Sequence, residues 1–330
     1  MTSSTAKSRT GGVLGVAEGA IDVHTHFLPT AYRRALEGLA ALPDNIPRLP
    51  TWSASEQIAG MDTLGIATAI LSVSSPGVLL PGREATVALA RSVNDAGAET
   101  VRDRPDRFGH LASLPLPHVE ESLRELERAY DELGADGITM MTNYAGHYIG
   151  DPLFRPVLEE LDRRAAVVLV HPCAPPHAEA VSFGRMIPMV EFPFETTRAF
   201  IDLVLGGSTR RFPRLRWIVS HGGAALPLLA ERVAWTTGLI GGDVAGDDVH
   251  AEFAKLYYDL AGTALPAQLP ALLSWVGGER VLYGSDMTFT PGEAVISFAE
   301  QLSTTEHLSG MYHDVMRGRA ELLFPRVAAR

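Results

Sequence analysis

Short apolar runs alternate with amphipathic segments along almost the whole chain, and this alternation constrains the fold more than any other feature. Each run has the length and composition of a buried strand, and the segment after it carries apolar residues at helical spacing, as in VEESLRELERAYDEL. The eight runs are AIDVHTHF, ATAILSVS, FGHLASLPL, ADGITMMT, AVVLVHP, LRWIVSHG, LYYDLAG and RVLYGSD. Eight strand–helix units are the repeat number of a (β/α)8 barrel.

We therefore predict an α/β fold, a distorted (β/α)8 TIM barrel that forms a single domain over residues 19–330. A doubly wound open sheet is the main alternative, but no Gly-rich dinucleotide loop follows the first strand. Residues 30–60 and 174–194 are expected to be insertions over the barrel mouth, and residues 307–324 a terminal helix. Residues 1–18 are expected to form a flexible leader, because VLGVA is shorter than the roughly 7–15 apolar residues of a signal peptide.

Composition narrows the classes of partner. Lys and Arg number 28 against 39 Asp and Glu, which gives a net charge of −11. An acidic chain without a basic run favours neither nucleic acid nor an anionic membrane surface as a partner. No run approaches the ~20 apolar residues of a membrane span. Cys173 is the only cysteine, so no internal disulfide can form, and a cytoplasmic location is expected.

Polar residues stand where several of the predicted strands end. The first strand ends in His24 and His26, the fifth in His171, the sixth in His221 and the eighth in Asp286. In a (β/α)8 barrel the carboxyl ends of the strands meet at one mouth, which is where functional groups gather. These five side chains are therefore expected to lie together.

The spacing of the first pair predicts a metal site. Side chains alternate along a strand, so His24 and His26 should share the interior face, while Val23 and Thr25 face the helices. A single such pair is a weak signal, but four strand ends in barrel order make a strong one. We predict that His24, His26, His171 and Asp286 bind a divalent metal, Zn²⁺ with Mn²⁺ as the alternative.

Two further residue types refine this prediction. The fourth strand reads GITMM and has no lysine that could bridge two ions, so one metal per subunit is favoured. Cys173 lies two residues after His171, where a soft zinc ligand is conceivable, although a buried structural thiol is favoured. His221 is left outside the ligand set as a catalytic acid or base, because a metal needs an open position for chemistry.

With these motifs in place, the sequence resembles the amidohydrolase superfamily over roughly residues 20–325. IDVHTHFLP, SHGGAALPLLAERV and LYGSDM carry the resemblance, which is strongest to the branch typified by aminocarboxymuconate-semialdehyde decarboxylase. The middle of the chain, including RFGHLASLPLP, looks most like the methylsalicylate decarboxylases within that branch.

The resemblance implies roles for individual residues. His24, His26, His171 and Asp286 match the metal ligands of the family, and His221 matches its catalytic histidine. Arg232 matches an arginine that reaches the substrate carboxylate from a neighbouring subunit, which implies a homodimer. Arg48 is the nearest match to a second carboxylate-binding arginine. From their segments alone, Phe289 and Trp52 are expected to form an apolar slot for a planar ring.

The expected activity is metal-dependent, non-oxidative decarboxylation of a salicylate-like or other conjugated acid, with Asp286 or His221 as the proton donor. A mononuclear hydrolase of a lactone, amide or ester is the first alternative, because the same ligand set activates water. A catalytically silent metal-binding scaffold is the second.

Overall fold

The structure, a computed structural model, describes residues 15–241 and 244–329. Most of the predicted leader, residues 1–14, lies outside this part. Residues 15–18 lie against the barrel, where Ala17 is buried and its amide donates to the carbonyl of Leu64.

Eight parallel strands form one sheet in the order β1-β2-β3-β4-β7-β8-β9-β10, and helices surround it. Backbone hydrogen bonds from the first strand to the segment after the last one, such as Val23 N to Tyr283 O at 3.1 Å, bring the sheet close to closure. The (β/α)8 barrel is confirmed, and each predicted strand contributes to it. The strands are β1 Ile21–His26, β2 Thr68–Ser72, β3 Phe108–Ser113, β4 Gly137–Met141, β7 Val167–His171, β8 Arg216–Val219, β9 Tyr257–Asp259 and β10 Val281–Leu282, with a small hairpin of β5 Asn143–Tyr144 and β6 His147–Tyr148.

The helices mostly follow the predicted amphipathic segments. They are α1 Thr30–Glu37, α2 Ala54–Leu64, α3 Arg83–Asp103, α4 Val119–Asp131, α5 Arg155–Arg163, α6 Ala178–Ser182, α7 Ile187–Leu205, α8 Ser208–Arg211, α9 Leu226–Ile240, α10 Gly246–Phe253, α11 Gln268–Val276, α12 Gly292–Thr304, α13 Arg319–Leu323 and α14 Pro325–Ala328. The predicted terminal helix over residues 307–324 is shorter than expected. A separate 3-10 turn covers Glu306–Leu308, and the helical stretch runs over residues 312–323 with a π-helical segment at Asp314–Gly318 that continues into α13. None of the described helices is long and apolar enough to span a membrane.

Local signals explain where α2 starts and stops. The Ser53 side chain accepts a hydrogen bond from the Glu56 amide at 3.2 Å, and the Ser53 hydroxyl donates to the Glu56 carboxylate at 2.9 Å. This Ser-x-x-Glu arrangement satisfies one of the amides that the first helical turn leaves without a partner, and the Glu56 carboxylate holds the capping hydroxyl in place. The helix ends at Gly65, whose φ of 83° is the left-handed conformation that favours glycine.

A bulge in β1 sets the direction of the two histidines. Val23 does not face the helices as strict alternation predicts. Val23 lies in the barrel interior, where it belongs to one buried apolar cluster with Ile70 and Leu169. Phe324 of the C-terminal segment packs against the same cluster. The register of β1 against β2 shifts between Asp22 and Thr25. Between these positions β1 contains one residue more than β2. The extra residue changes the direction of the side chains that follow it, so His24 and His26 also point into the barrel, beside the apolar cluster.

Both mouth insertions contain secondary structure. The first holds α1, a 3-10 turn over Pro43–Asn45, and α2. The second holds α6 and the start of α7, which begins at Ile187 with Pro188 in its first turn. The Asn45 side-chain amide donates to the carbonyl of Arg185 at 3.0 Å. This hydrogen bond ties the two insertions together over the carboxyl ends of the strands.

Candidate active site

The five polar residues predicted from the strand ends converge at the mouth of the barrel. The Nε2 atoms of His24 and His26 are 3.2 Å apart. The Asp286 Oδ1 atom lies 3.2 Å from His26 Nε2 and 3.7 Å from His24 Nε2, and Asp286 Oδ2 lies 3.8 Å from His221 Nε2. Donor atoms of His24, His171, His221 and Asp286 all lie within 4.8 Å of one another. These distances suit a shared cation.

Hydrogen bonds on the far side of the rings fix two of the imidazoles. His24 Nδ1 lies 2.9 Å from Asp259 Oδ2, so it carries the proton and its Nε2 presents a lone pair. His171 Nδ1 lies 2.7 Å from the carbonyl oxygen of Pro172, which has the same effect on its Nε2. Both rings are buried, with exposed fractions of 0% and 2%. This is the arrangement by which proteins orient histidines toward a metal.

The charges of the site also fit a bound cation. Burial lowers the pKa of His26, and burial with the neighbouring imidazoles holds the pKa of His171 well below its ordinary value, so both rings stay neutral. Burial opposes a charge on His24 too, but Asp259 together with Asp286 and Asp22 outweighs it, and the pKa of His24 is raised to about 9. The carboxylates therefore favour a positive charge beside His24 Nε2, which is what a metal ion provides.

A second carboxylate positions Asp286. Asp22 accepts hydrogen bonds from the backbone amide of Ser285, at 3.0 Å, and from the Ser285 hydroxyl. Asp286 has a φ of 58° and His221 a φ of 55°, both left-handed. Strained backbone of this kind persists where surrounding contacts enforce it, and it clusters at functional sites.

The cluster opens into a cavity of about 590 Å³. His171, His221 and Asp286 form part of its wall, and no Lys or Arg of the described chain lines it. The remaining lining residues are mostly apolar, with a few polar groups from the strand-end loops: Asp44, Ile46, Ser74, Ser75, Pro188, Met189, Phe192, Pro193, Ala224, Ala225, Leu228, Ala261, Gly262, Thr263, Gln268, Phe289, Thr290, Pro291, Ala294 and Phe298.

The predicted substrate residues separate into two groups. Phe289 lines the cavity, and its ring meets that of His26 edge-on with centroids 5.7 Å apart. Trp52 does not line it and packs edge-on against Phe27. Arg48 and Arg232 are exposed and lie outside the lining. The substrate roles of Trp52, Arg48 and Arg232 therefore stay predictions.

Cys173 does not belong to the cluster of ligand atoms. It is buried, and its Sγ lies 3.3 Å from Asn143 Nδ2 and 3.5 Å from Thr142 Oγ1. These contacts describe a thiol packed behind the site rather than a ligand.

Sequence reasoning missed three carboxylates. Asp259 contacts the far edge of the His24 ring, Asp22 holds Ser285 beside Asp286, and Asp44 reaches the cavity from the first insertion. Two of them had a visible signal, because LYYDLAG and AIDVHTHF each place an aspartate inside an apolar strand. A buried charge in a strand needs a partner, and here the partners are His24 and Ser285. Asp44 lies in a loop and had no such signal.

Fold and site together define a class of protein: a (β/α)8 barrel with a histidine–carboxylate centre of metal-binding type at its C-terminal mouth. The amidohydrolase family model matches residues 21–321, and the chain belongs to that family.

Three relatives show how close the similarity is. The decarboxylase macB of Penicillium terrestre is 35% identical, over 93% of this chain and 95% of its own. The 6-methylsalicylic acid decarboxylase of Penicillium expansum is 34% identical, over 93% of this chain and 96% of its own. The crystal structure of an amidohydrolase II is 33% identical with a TM-score of 0.88, over 93% of this chain and 100% of that one.

Proposed function

We propose that this protein catalyses the metal-dependent, non-oxidative decarboxylation of a salicylate-like aromatic acid. The observation that carries the proposal is a histidine–carboxylate cluster, with Asp286 and His221 on the wall of an otherwise largely apolar cavity. Two relatives named as decarboxylases support it, because each matches over 93% of this chain.

His24, His26, His171 and Asp286 are the residues that would hold the metal, with Zn²⁺ proposed from the nitrogen and oxygen donors and Mn²⁺ as the alternative. When bound, the ion would act as a Lewis acid toward the phenolic and carboxylate oxygens of the substrate. One ion per subunit is proposed, since β4 contains no lysine.

The protein's own side chains supply orientation and a proton. A proton is delivered to the ring carbon that bears the carboxylate, which interrupts the aromaticity of the ring. The bond from that carbon to the carboxylate then breaks, its electron pair stays in the ring, CO₂ leaves and aromaticity returns. His221 and Asp286 both line the cavity, and their side chains lie 3.8 Å apart, so either can face the reacting carbon. Phe289 and Phe192 provide apolar surface against which a planar ring can stack.

A panel of hydroxybenzoates tests this proposal. The metal-loaded protein should release CO₂ from at least one member, with the matching phenol as the other product. A chelator should abolish the reaction, and restored metal should recover it. The alternative hypothesis, a hydrolase, predicts turnover of esters, amides or lactones without release of CO₂. That result would replace the decarboxylase proposal.

We also propose a homodimer in which Arg232 serves the partner's site. On α9, Leu228, Arg232, Trp235 and Leu239 follow one another at spacings of four, three and four residues, which places them on one helical face. The three apolar side chains are 66–78% exposed, and Leu228 also lines the cavity. A contiguous exposed apolar face beside the cavity supports an interface there. A cytoplasmic location is proposed from the single cysteine alone.

A further inference from the structure

A strained turn brings one carboxylate to the cavity wall. Asp44 has φ 59° and ψ 20°, and Asn45 after it has φ 55°, so two consecutive residues other than glycine are left-handed. The hydrogen bond from Asn45 to the carbonyl of Arg185 helps to hold this turn against the second insertion. Such backbone costs energy and persists only where the surroundings enforce it. The result is that Asp44 lines the cavity while Arg48, four residues later, is exposed outside it.

The neighbours of Asp44 add a hydroxyl with no partner. Ser75 also lines the cavity, is 4% exposed, and its Oγ makes no hydrogen bond within the described chain. Burial raises the pKa of Asp44 to about 6, although the nearby Ser75 side chain and the Ala174 amide oppose this rise. Ser75 Oγ lies close enough to the Asp44 carboxylate to lower its pKa, so the two groups form one polar patch on the cavity wall. When Asp44 is ionised, the cavity carries a negative charge here.

Within one subunit, the rest of the wall offers no cationic side chain to balance a second anionic group. No Lys or Arg of the described chain lines the cavity, and the surface formed by Pro188, Met189, Phe192 and Leu228 is apolar. The metal-binding cluster can accommodate one carboxylate of a substrate. A second carboxylate on the ring would meet apolar side chains, neutral polar groups such as Gln268 and Thr263, or the charge of Asp44. Like charges side by side disfavour binding strongly.

We propose that Asp44 is a specificity-determining residue that limits the site to aromatic acids with a single carboxylate. Through Asp44 and Ser75 the same wall accepts hydrogen bonds from a ring hydroxyl, while alkyl substituents fit the apolar side. This inference rests on the proposed function for the orientation of the acid toward the metal cluster.

Binding measured by calorimetry on the metal-loaded protein tests the inference without requiring turnover. We expect 6-methylsalicylate to bind at least about tenfold more tightly than 4-hydroxyisophthalate, which carries a second carboxylate. Asp44→Asn should reduce this preference at least about tenfold, because it removes the charge and keeps the shape. Asparagine also tolerates left-handed backbone, so the turn should survive.

Three controls make the result decisive. Asp103→Asn removes an exposed carboxylate of α3 and should leave the preference unchanged. Metal content and melting temperature of Asp44→Asn should match the wild type, which excludes a folding defect. Equal binding of both acids by the wild type, or an unchanged preference in Asp44→Asn, would overturn the inference. Absence of CO₂ release with the binding preference intact would instead count against the proposed function alone.

Discussion

The ring of His24 is held from both edges, so this single residue couples the proposed metal site to the barrel. Its Nε2 faces His26 and Asp286, and its Nδ1 lies against Asp259. Asp259 Oδ1 also accepts hydrogen bonds from the backbone amides of His221 and Ala261, each at 3.0 Å. One buried carboxylate therefore orients the imidazole of His24, a proposed metal ligand, and anchors the turn that carries the candidate catalytic histidine.

Replacing Asp259 by Asn should weaken metal binding by about 10–100-fold. An amide has one acceptor oxygen, so its NH₂ group must face either His24 Nδ1–H or the two backbone amides. Competition with a chelating indicator measures the affinity, and Asp106→Asn, on an exposed carboxylate, serves as the control. Unchanged metal affinity would show that Asp259 does not orient the ligand.

Replacing His221 by Asn should leave the metal bound and reduce turnover by about 10²–10⁴-fold, the usual contribution of a general acid or base. Asparagine suits the φ of 55° at this position better than alanine does. Metal analysis of the purified variant separates the two roles open to His221. Loss of the ion would show that His221 is a ligand. Its position allows this role, because its donor atom lies within 4.8 Å of those of His24, His171 and Asp286.

At the scale of elements, close approach of α3 to β3 depends on one helical glycine. A Cβ atom at Gly97 would stand 2.7 Å from Cδ2 and 3.1 Å from Cγ of the buried His110 ring. Gly60 in α2 is the opposite case, because a Cβ there would meet Met287 at an ordinary 3.6 Å. The same substitution should therefore have opposite signs in the two helices.

Gly60→Ala should raise the free energy of unfolding by about 0.5–1 kcal/mol, since alanine restricts the unfolded chain and favours helix. Gly97→Ala should lower it by about 1–3 kcal/mol, because the added methyl group overfills a packed contact. Urea unfolding monitored by circular dichroism measures both changes. A stabilised Gly97→Ala variant would show that β3 moves away from α3 at little cost.

At the scale of the whole molecule, the exposed face of α9 is the surface proposed for dimerisation. It joins Leu228, which lines the cavity, to Trp235 and Leu239 farther along the helix, and Arg232 lies between them. If this face is the dimer interface, two sites are completed by residues from opposite subunits. An isologous interface makes such sharing reciprocal.

Two inactive variants test this sharing. Co-expressed His221→Asn and Arg232→Ala chains with different tags give heterodimers that contain one intact site of two. These heterodimers should have about half the wild-type activity, although each homodimer is nearly inactive. Activity equal to the mean of the two homodimers, or a monomeric wild type at the assay concentration, would contradict the shared site.

The sequence by itself determined the number and order of the strands and the chemistry at their ends. Apolar runs, helical periodicity and the positions of His24, His26, His171, His221 and Asp286 are local features, and a barrel necessarily collects the ends of its strands at one mouth. The likeness of the motifs to amidohydrolases rested on the same local stretches.

Only the tertiary structure decided what surrounds those groups. Asp259 meets His24 across 235 positions of sequence, and Ser285 meets Asp22 across 263, distances over which local patterns carry no information. The bulge in β1 that turns His24 inward depends on the register with β2. Likewise Asp44, rather than Arg48, reaches the cavity because the strained turn is held by a loop 140 residues away. Such contacts depend on the packing of segments that are distant in sequence, and this packing exists only in the folded protein.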